Sequence, residues 1–476
     1  MTVTEPKATV ATTNGRPPSQ RPAIPAEVLD DDRAIRRLVF NLAWPVIVEN
    51  LLQTAVGFVD LLMVARLGAS AIAGVGISVQ VLFVIFAAIS ALATGTTVLV
   101  ARFIGAKEPK AAGRTLKQSI LLGVVLGVLL AAVGVPLSKP LVALMGAAPD
   151  VVELGGGYLQ IVFLTAVALT LTSVLGAALR GAGDSRTPML VALGINAVNV
   201  VVAYVLIFGH LGFPEMGVIG SAWGAAIGRI AGTLALLFLV LRGTGARTRI
   251  DLSGAGGWAP NFSLINRLLR IGLPSMGEQL SRSLGMLLFS WVVISLGTAV
   301  FAAQRITFNI VSLSFLPGFG FSMAATALTG QALGAGKPDR ARRATWFSAQ
   351  SAAVWMGGMG VTFLLFAPFF MRIFTDDAEI VENGALALRV LALGQAQMAI
   401  GMVLAGGLRG AGDTRYPMLV ISASMWLVRI PVALVAVHLL GWGLPGAYLA
   451  FVAGSSVECI AAYLRYRSGK WQYLKV

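Results

Sequence analysis

Cysteine is nearly absent from this chain. Cys459 is the only one among 476 residues, which excludes an intramolecular disulfide and a cysteine metal cluster. Histidine is almost as scarce: His210 and His438 stand far apart near expected helix ends, so a zinc site is not expected. Charged residues make up 12% of the chain, about half the usual share of a soluble domain. The sequence holds no nucleophile–base pair and no phosphate loop, so nothing points to an enzyme, and no cofactor is expected.

Apolar residues fill the space, at 57% of the chain, in runs of which several exceed the roughly 20 residues that cross a bilayer. This is the composition of an all-α polytopic membrane protein. The net charge of +15 would suit nucleic acid, but the cations sit in short loops between apolar runs, so the bilayer is the expected partner and nucleic acid is not. Residues 1–37 are rich in Thr, Pro and Ala before an Arg cluster. They lack a signal peptide's apolar region and read as a disordered cytoplasmic tail, the first span being an uncleaved insertion signal.

Two stretches are nearly identical. Leu179–Val191 reads LRGAGDSRTPMLV and Leu408–Val420 reads LRGAGDTRYPMLV, an offset of 229 residues, so the chain is a tandem duplication. Gly181 and Gly183, with Gly410 and Gly412, can take the positive φ that ends a helix. Asp184 or Ser185 can then cap the next helix, with Pro188 in its first turn. The same offset pairs Pro45 with Pro274, Glu49 with Glu278, Gly105 with Gly334, Pro109 with Pro338 and Gly217 with Gly446.

Twelve spans are expected, near 38–65, 70–101, 118–138, 155–178, 188–208 and 216–241, then 268–294, 299–330, 345–370, 384–407, 417–440 and 445–464. They form an N-terminal six-helix bundle (38–241) and a C-terminal one (267–467), with a cytoplasmic linker (242–266) and tail (468–476). Six is even, so both copies enter the membrane the same way. They should be related by a pseudo-two-fold along the membrane normal, with the working cavity between them. Orientation follows the cations: one set of loops holds Arg102, Lys107, Arg114, Arg180, Arg249, Arg270, Lys337, Arg343 and Arg409 among others, whereas the opposite loops hold only Arg66, Lys139 and Arg372. Both termini are therefore expected in the cytoplasm, with the chain in a bacterial-type inner membrane.

Ionisable residues inside spans are costly and are candidates for function. In the first span Glu49, Gln53 and Asp60 fall within about 40° of one another on a helical wheel and form one polar stripe. In the fifth, Asn196 and Asn199 share a face and Tyr204 lies less well aligned beyond them. Asp60 could instead be an interfacial residue reaching toward Arg66, and the asparagines could be glue between helices. The twin positions favour function: Asp60, Asn196, Asn199 and Tyr204 become Phe289, Met425, Val428 and Ala433. Glue would be needed in both bundles, whereas a single ion-handling site would be present in one. The second bundle differs in its own way. Gln53 becomes Arg282, four residues from Glu278, and Gly76 becomes Arg305, beside Gln304. These four residues are a candidate substrate wall, or an internally neutralised set. Arg229 and Glu458 are twins of opposite sign and could pair.

With these residues in hand the chain resembles the multidrug and toxic compound extrusion (MATE) family of secondary transporters over nearly all of 38–466. The resemblance rests on LAWPVIVENLLQTAVGFVDLLMVARLG (42–68), the LRGAGD turns, NVVVAYVLIFG (199–209) and AAQRITFNIVSLSFLPGFGFSMAATALTGQALGAG (302–336). It implies two six-helix bundles in a V and export of small organic solutes, cationic, zwitterionic or anionic, coupled to inward H⁺ or Na⁺ by a monomer. The family's first-helix acid falls on Asp60, the preceding amide on Gln53 and the fifth-helix Asn on Asn199. Asp60 and Asn199 would hold a metal ion only if Na⁺ is the coupling ion. Ala203 stands where many relatives carry Asp or Asn. The second-lobe acids of the NorM-like branch fall on Arg282 and Met398, so a DinF-like, first-lobe site is the better match. The alternative within the same superfamily is a flippase for lipid-linked oligosaccharide, to which Arg282 and Arg305 would offer a pyrophosphate site.

Overall fold

Apolar runs of this length satisfy their backbone groups in lipid only as helices or closed barrels, and here they are helices. The computed structural model describes residues 31–242, 250, 252 and 258–474. In order they form α1 (Asp32–Ala65), α2 (Ala69–Gly105), α3 (Pro109–Leu144), α4 (Pro149–Leu164), α5 (Ala166–Gly181), α6 (Arg186–Phe208), α7 (Gly217–Leu241), α8 (Phe262–Ile294), α9 (Thr298–Gly334), α10 (Pro338–Arg372), α11 (Ala378–Gly410), α12 (Arg415–Ala423), α13 (Ile430–Leu434) and α14 (Gly443–Arg467). The pair α4–α5 is one span bent by 54°. α12 and α13 are likewise one span, joined by a π-helical segment, Ser424–Arg429. With α8 counted by its place in the repeat, twelve spans in two sets of six result among the described residues.

Local chemistry explains the ends. Asp31 caps α1 by accepting from the Arg33 N–H at 3.1 Å, and Asn261 caps α8 by accepting from Leu264 at 3.1 Å. Pro109, Pro149 and Pro338 occupy first turns, where a missing N–H is harmless. Two expected boundaries shift. Residues 32–37, assigned to the tail, belong to α1, with Ile35 buried; residues 1–30 lie outside the described residues. α8 begins at Phe262, inside the expected linker, of which 243–249, 251 and 253–257 lie outside the described residues. The C-terminal tail includes a 3₁₀ turn, Lys470–Tyr473. Its Trp471 is buried, stacked on Tyr466 at 5.6 Å, and donates to the Tyr466 carbonyl at 2.9 Å.

Two spans are less regular than their sequences suggest. The break between α4 and α5 falls at Thr165, where the backbone leaves helical geometry and the hydroxyl donates to the Ile161 carbonyl at 2.9 Å. In the eleventh span Pro431 has no N–H for the Leu427 carbonyl, and π turns flank it at Ser424–Arg429 and Val435–Leu439.

The LRGAGD turns divide their glycines between two tasks. Gly183 (φ +90°) and Gly412 (φ +87°) take the positive φ. Gly181 and Gly410 instead end their helices and permit close approach, since a Cβ would meet the Thr97 carbonyl oxygen at 2.7 Å and that of Thr326, the twin of Thr97, at 2.2 Å. Asp184 rather than Ser185 caps α6, accepting from the Arg186 and Thr187 N–H groups at 3.1 and 3.0 Å.

The halves meet through α1 on α9, α2 on α8, and α2 on α9. The first two contacts are images of each other, and the third lies on the pseudo-two-fold. A Cβ on Gly105 would sit 2.0 Å from the Gln331 carbonyl oxygen, and one on Gly334 would sit 2.0 Å from that of Arg102, its mirror. Side chains repeat the exchange. Arg102 Nη2 donates to the Ala411 carbonyl at 2.9 Å and to that of Leu474 at 3.2 Å, while Gln331 Nε2 donates to the Gly181 carbonyl at 2.8 Å. Each half thus grips the other's LRGAGD turn.

The apolar packing follows the same division. Ile35, Val39, Leu42 and Ala43 of α1 share one cluster with Phe321, Ala325 and Leu328 of α9. Farther from the turns each cluster stays within one half, around Val64, Leu82 and Leu159 in the first and around Phe289, Phe363 and Leu388 in the second. The bundles are therefore joined at the end bearing the LRGAGD turns and part toward the other, as a V.

Candidate functional site

Helical pitch carries Asp60 into the first bundle, facing α6. There Asn199 Nδ2 donates to Asp60 Oδ2 at 3.0 Å. Asn199 is buried; Asp60 is half-buried. Asp60 Oδ1 and Asn199 Oδ1 are both buried without a hydrogen-bond partner. A buried acceptor left unpaired costs about 1–3 kcal/mol, so two together are a place where a bound proton or cation would be stabilised. The Arg229 guanidinium and the buried Tyr158 lie within Coulombic reach of the carboxylate. Asp60 does not turn to Arg66 as an interfacial residue would. Ala203 is fully buried against Gly224, where even an added Cβ would meet it at 2.6 Å, so α6 and α7 pack too closely there for a second carboxylate to fit without displacement.

The rest of the expected stripe disperses. Glu49 is not joined to Asp60: Arg180, from the first LRGAGD turn, reaches it at 3.3 Å. Gln53 is exposed. Asn196 makes no hydrogen bond among the described residues, and Tyr204 is 49% exposed, its ring against Phe208 and His210 at 5.4 and 5.0 Å. The helical wheel put these residues on one face but could not say which neighbour meets that face at each level. In the second bundle, Phe289 occupies the twin of Asp60 and is buried against Tyr448 and Phe451, at 6.0 and 6.2 Å between ring centroids.

The second bundle holds a charge network that the sequence showed only in part. Arg409, from the second LRGAGD turn, places Nη1 2.9 Å from both oxygens of Glu278, repeating the Glu49–Arg180 pair at twin positions. Arg282 Nε lies 3.5 Å from Glu278 and its Nη2 3.9 Å from Glu458, and Arg429 Nη2 donates to Glu458 at 3.2 Å. Glu458 therefore pairs with Arg429 and Arg282, not with its twin Arg229. Arg429 is 4% exposed in its side chain and lies 4.0 Å from the centroid of the Phe451 ring, a cation–π contact. Gln304 and Arg305 do not join this set. Gln304 is buried and Arg305 exposed, and no hydrogen bond or ion pair among the described residues links either to Glu278 or Arg282. Arg409 and Arg429 were missed as partners. The signal for Arg409 was available, because both members of each Glu–Arg pair recur at the repeat offset.

Comparison with known proteins agrees with this architecture. The MatE family profile matches residues 45–205 and 274–435, one match in each half. The chain is 34% identical over 442 residues to a probable multidrug resistance protein NorM from Thermotoga maritima, covering 92% of this chain and 93% of that one. It is 28% identical to the multidrug resistance protein PmpM of Pseudomonas aeruginosa, covering 86% of each. Among solved structures it is similar to a multidrug resistance MATE family transporter of the MOP superfamily in an outward-facing conformation, with TM-score 0.85 and 26% identity over 94% of this chain and 98% of that one. It is similar also to a MOP superfamily transporter from Pyrococcus furiosus described as having a binding pocket of reverse polarity, with TM-score 0.85 and 25% identity over 93% and 97%.

Proposed function

The chain belongs to the multidrug and toxic compound extrusion family of membrane transporters, and from that premise we propose that it is a drug-efflux antiporter driven by H⁺ or Na⁺ entering at Asp60. One observation carries the assignment. The Asp60–Asn199 pair, with two unpaired buried oxygens, is present in one lobe only, and its twin site is an aromatic core. An empty carboxylate there is stabilised by one cation, and occupancy biases the lobe between two packings. Export follows when the two shapes of the V differ in affinity for cation and solute. Arg229 sets the background charge, Asn199 orients the carboxylate, and Ala203 limits the site to one carboxylate, the first-lobe, DinF-like arrangement. Glu49 and Glu278, paired to the turns, hold architecture rather than the coupling ion. Gln53, Asn196 and Tyr204 are left as polar lining.

The cation-rich end of the V lies on the cytoplasmic side of a bacterial-type inner membrane, by the distribution of Lys and Arg. The lobes are joined at that end, so the conformation is outward-facing. The test is dye transport in vesicles with pH and Na⁺ gradients imposed separately, wild type beside Asp60→Asn at equal membrane expression. Gradient-driven export should be lost in the variant. Undiminished, cation-dependent export by Asp60→Asn would refute the coupling role, and flipping of lipid-linked oligosaccharide without dye export would favour the flippase.

A further inference from the structure

The second-lobe network is unevenly built. Its two glutamates each have a closely held arginine: Glu278 accepts from Arg409 at 2.9 Å on both oxygens, and Glu458 accepts from Arg429 at 3.2 Å. Arg282 stands outside those pairs, at 3.5 and 3.9 Å from the same carboxylates. Three guanidinium groups against two carboxylates leave one positive charge uncompensated within the network. The distances assign the surplus to Arg282.

Accessibility points the same way. The side chains of Glu278, Arg429 and Glu458 are 10%, 4% and 16% exposed, whereas that of Arg282 is 38% exposed. Arg282 nevertheless lies on the buried face of α8, four residues after Glu278, three before Gly285 and seven before Phe289, all buried. Its exposed edge is therefore on the inward face of α8, not on the face that bears the exposed Leu284, Leu287 and Leu288. A guanidinium held loosely on one edge and wetted on the other offers free N–H donors in a fork that matches a carboxylate. The twin position in the first lobe is Gln53, so the feature belongs to one lobe, as the Asp60 site belongs to the other.

We propose that Arg282 is a specificity-determining residue: it receives the carboxylate of an organic substrate in a wet cavity of the second lobe, so that the protein favours carboxylate-bearing solutes over otherwise identical cationic ones. The proposal rests on the export reading above and adds a substrate class to it. Loading the coupling ion in one lobe and the substrate's anionic group in the other keeps the two from competing for one charge.

The test uses two probes that differ in one group, the carboxylated dye rhodamine B and its ethyl ester. Binding to the purified full-length protein in nanodiscs is followed by fluorescence anisotropy for wild type, Arg282→Gln and Arg282→Lys. Arg282→Gln copies the residue that the first lobe already tolerates at the same helical position. Loss of one charge-assisted contact should weaken binding of the acid about 10-fold while the ester changes less than about 2-fold. Arg282→Lys, which keeps the charge and loses the fork, should recover part of the difference. Equal loss for both probes, no loss for the acid, or a wild type that does not bind the acid overturns the proposal. Gradient-driven export of the ester, measured in parallel in wild type and Arg282→Gln, reports on the export reading separately: if it persists while discrimination is absent, only the role of Arg282 fails.

Discussion

Substituting Gly105 by alanine should shift the conformational equilibrium of the whole V. The added Cβ would stand 2.0 Å from the Gln331 carbonyl oxygen, 2.7 Å from its carbon and 2.9 Å from its Cα, whereas ordinary contact begins at 3.4 Å. All three atoms are backbone, so no side chain can swing aside, and α2 and α9 must separate by roughly 1.4 Å at this level (3.4 less 2.0). Overpacking of this kind costs about 2 kcal/mol. That cost falls only on the state in which the turn-bearing ends are joined, so the ratio of the two states should move about 30-fold toward the other shape. The assay is pulsed electron spin resonance between labels on Ala69→Cys and Thr298→Cys, twin exposed positions at the far ends of α2 and α9, in a Cys459→Ser background. Wild type should give mainly the long distance and Gly105→Ala mainly a shorter one. Gly334→Ala, the mirror substitution, should reproduce it. An unchanged distance distribution in a folded, membrane-inserted Gly105→Ala protein would refute the reasoning.

Two further perturbations separate structural roles. Arg409→Ala leaves Glu278 with only the looser Arg282 contact, and should destabilise the protein by about 3 kcal/mol; Arg180→Ala, at the longer and more exposed twin pair, should cost about 1 kcal/mol, both read from thermal unfolding in detergent. Trp471→Ala removes a buried indole, its stack on Tyr466 and the seat of the segment whose Leu474 carbonyl accepts from Arg102. The cost should approach about 3 kcal/mol in the joined state, visible as a shorter Ala69→Cys to Thr298→Cys distance.

Much of the fold was legible because bilayer thickness and the need to satisfy backbone groups leave helices of one length, and because the repeat could be laid against itself. Even α8, with Arg267, Arg270, Glu278 and Arg282 inside it, was recognisable from its twin α1 rather than from its own hydropathy. The bend at Thr165 and the π turns around Pro431 were not legible. Each depends on which carbonyl a hydroxyl finds, or which bond a proline leaves open, and those choices are made by packing. At the site, the twin comparison singled out Asp60, Asn196, Asn199 and Tyr204, of which Asp60 and Asn199 are in contact. The helical wheel, by contrast, placed Glu49 and Gln53 with Asp60, because a wheel reports direction and not partner. Arg180 lies beside Glu49 because the chain returns to the same level 131 residues later, at the end of α5.

The exchange of contacts between α2 and α9 gives the molecule leverage. α2 is 37 residues long, about 55 Å, and its glycine-mediated close approaches to the other half run from Ala91 to Gly105. Ala69 is therefore about 33 Å beyond the fulcrum. A rotation of about 15°, the scale of known subunit rotations, carries that tip about 9 Å, enough to admit or bar an organic molecule. The fulcrum itself moves little, so a contact change of an ångström beside a glycine is geared up to a doorway at the opposite face.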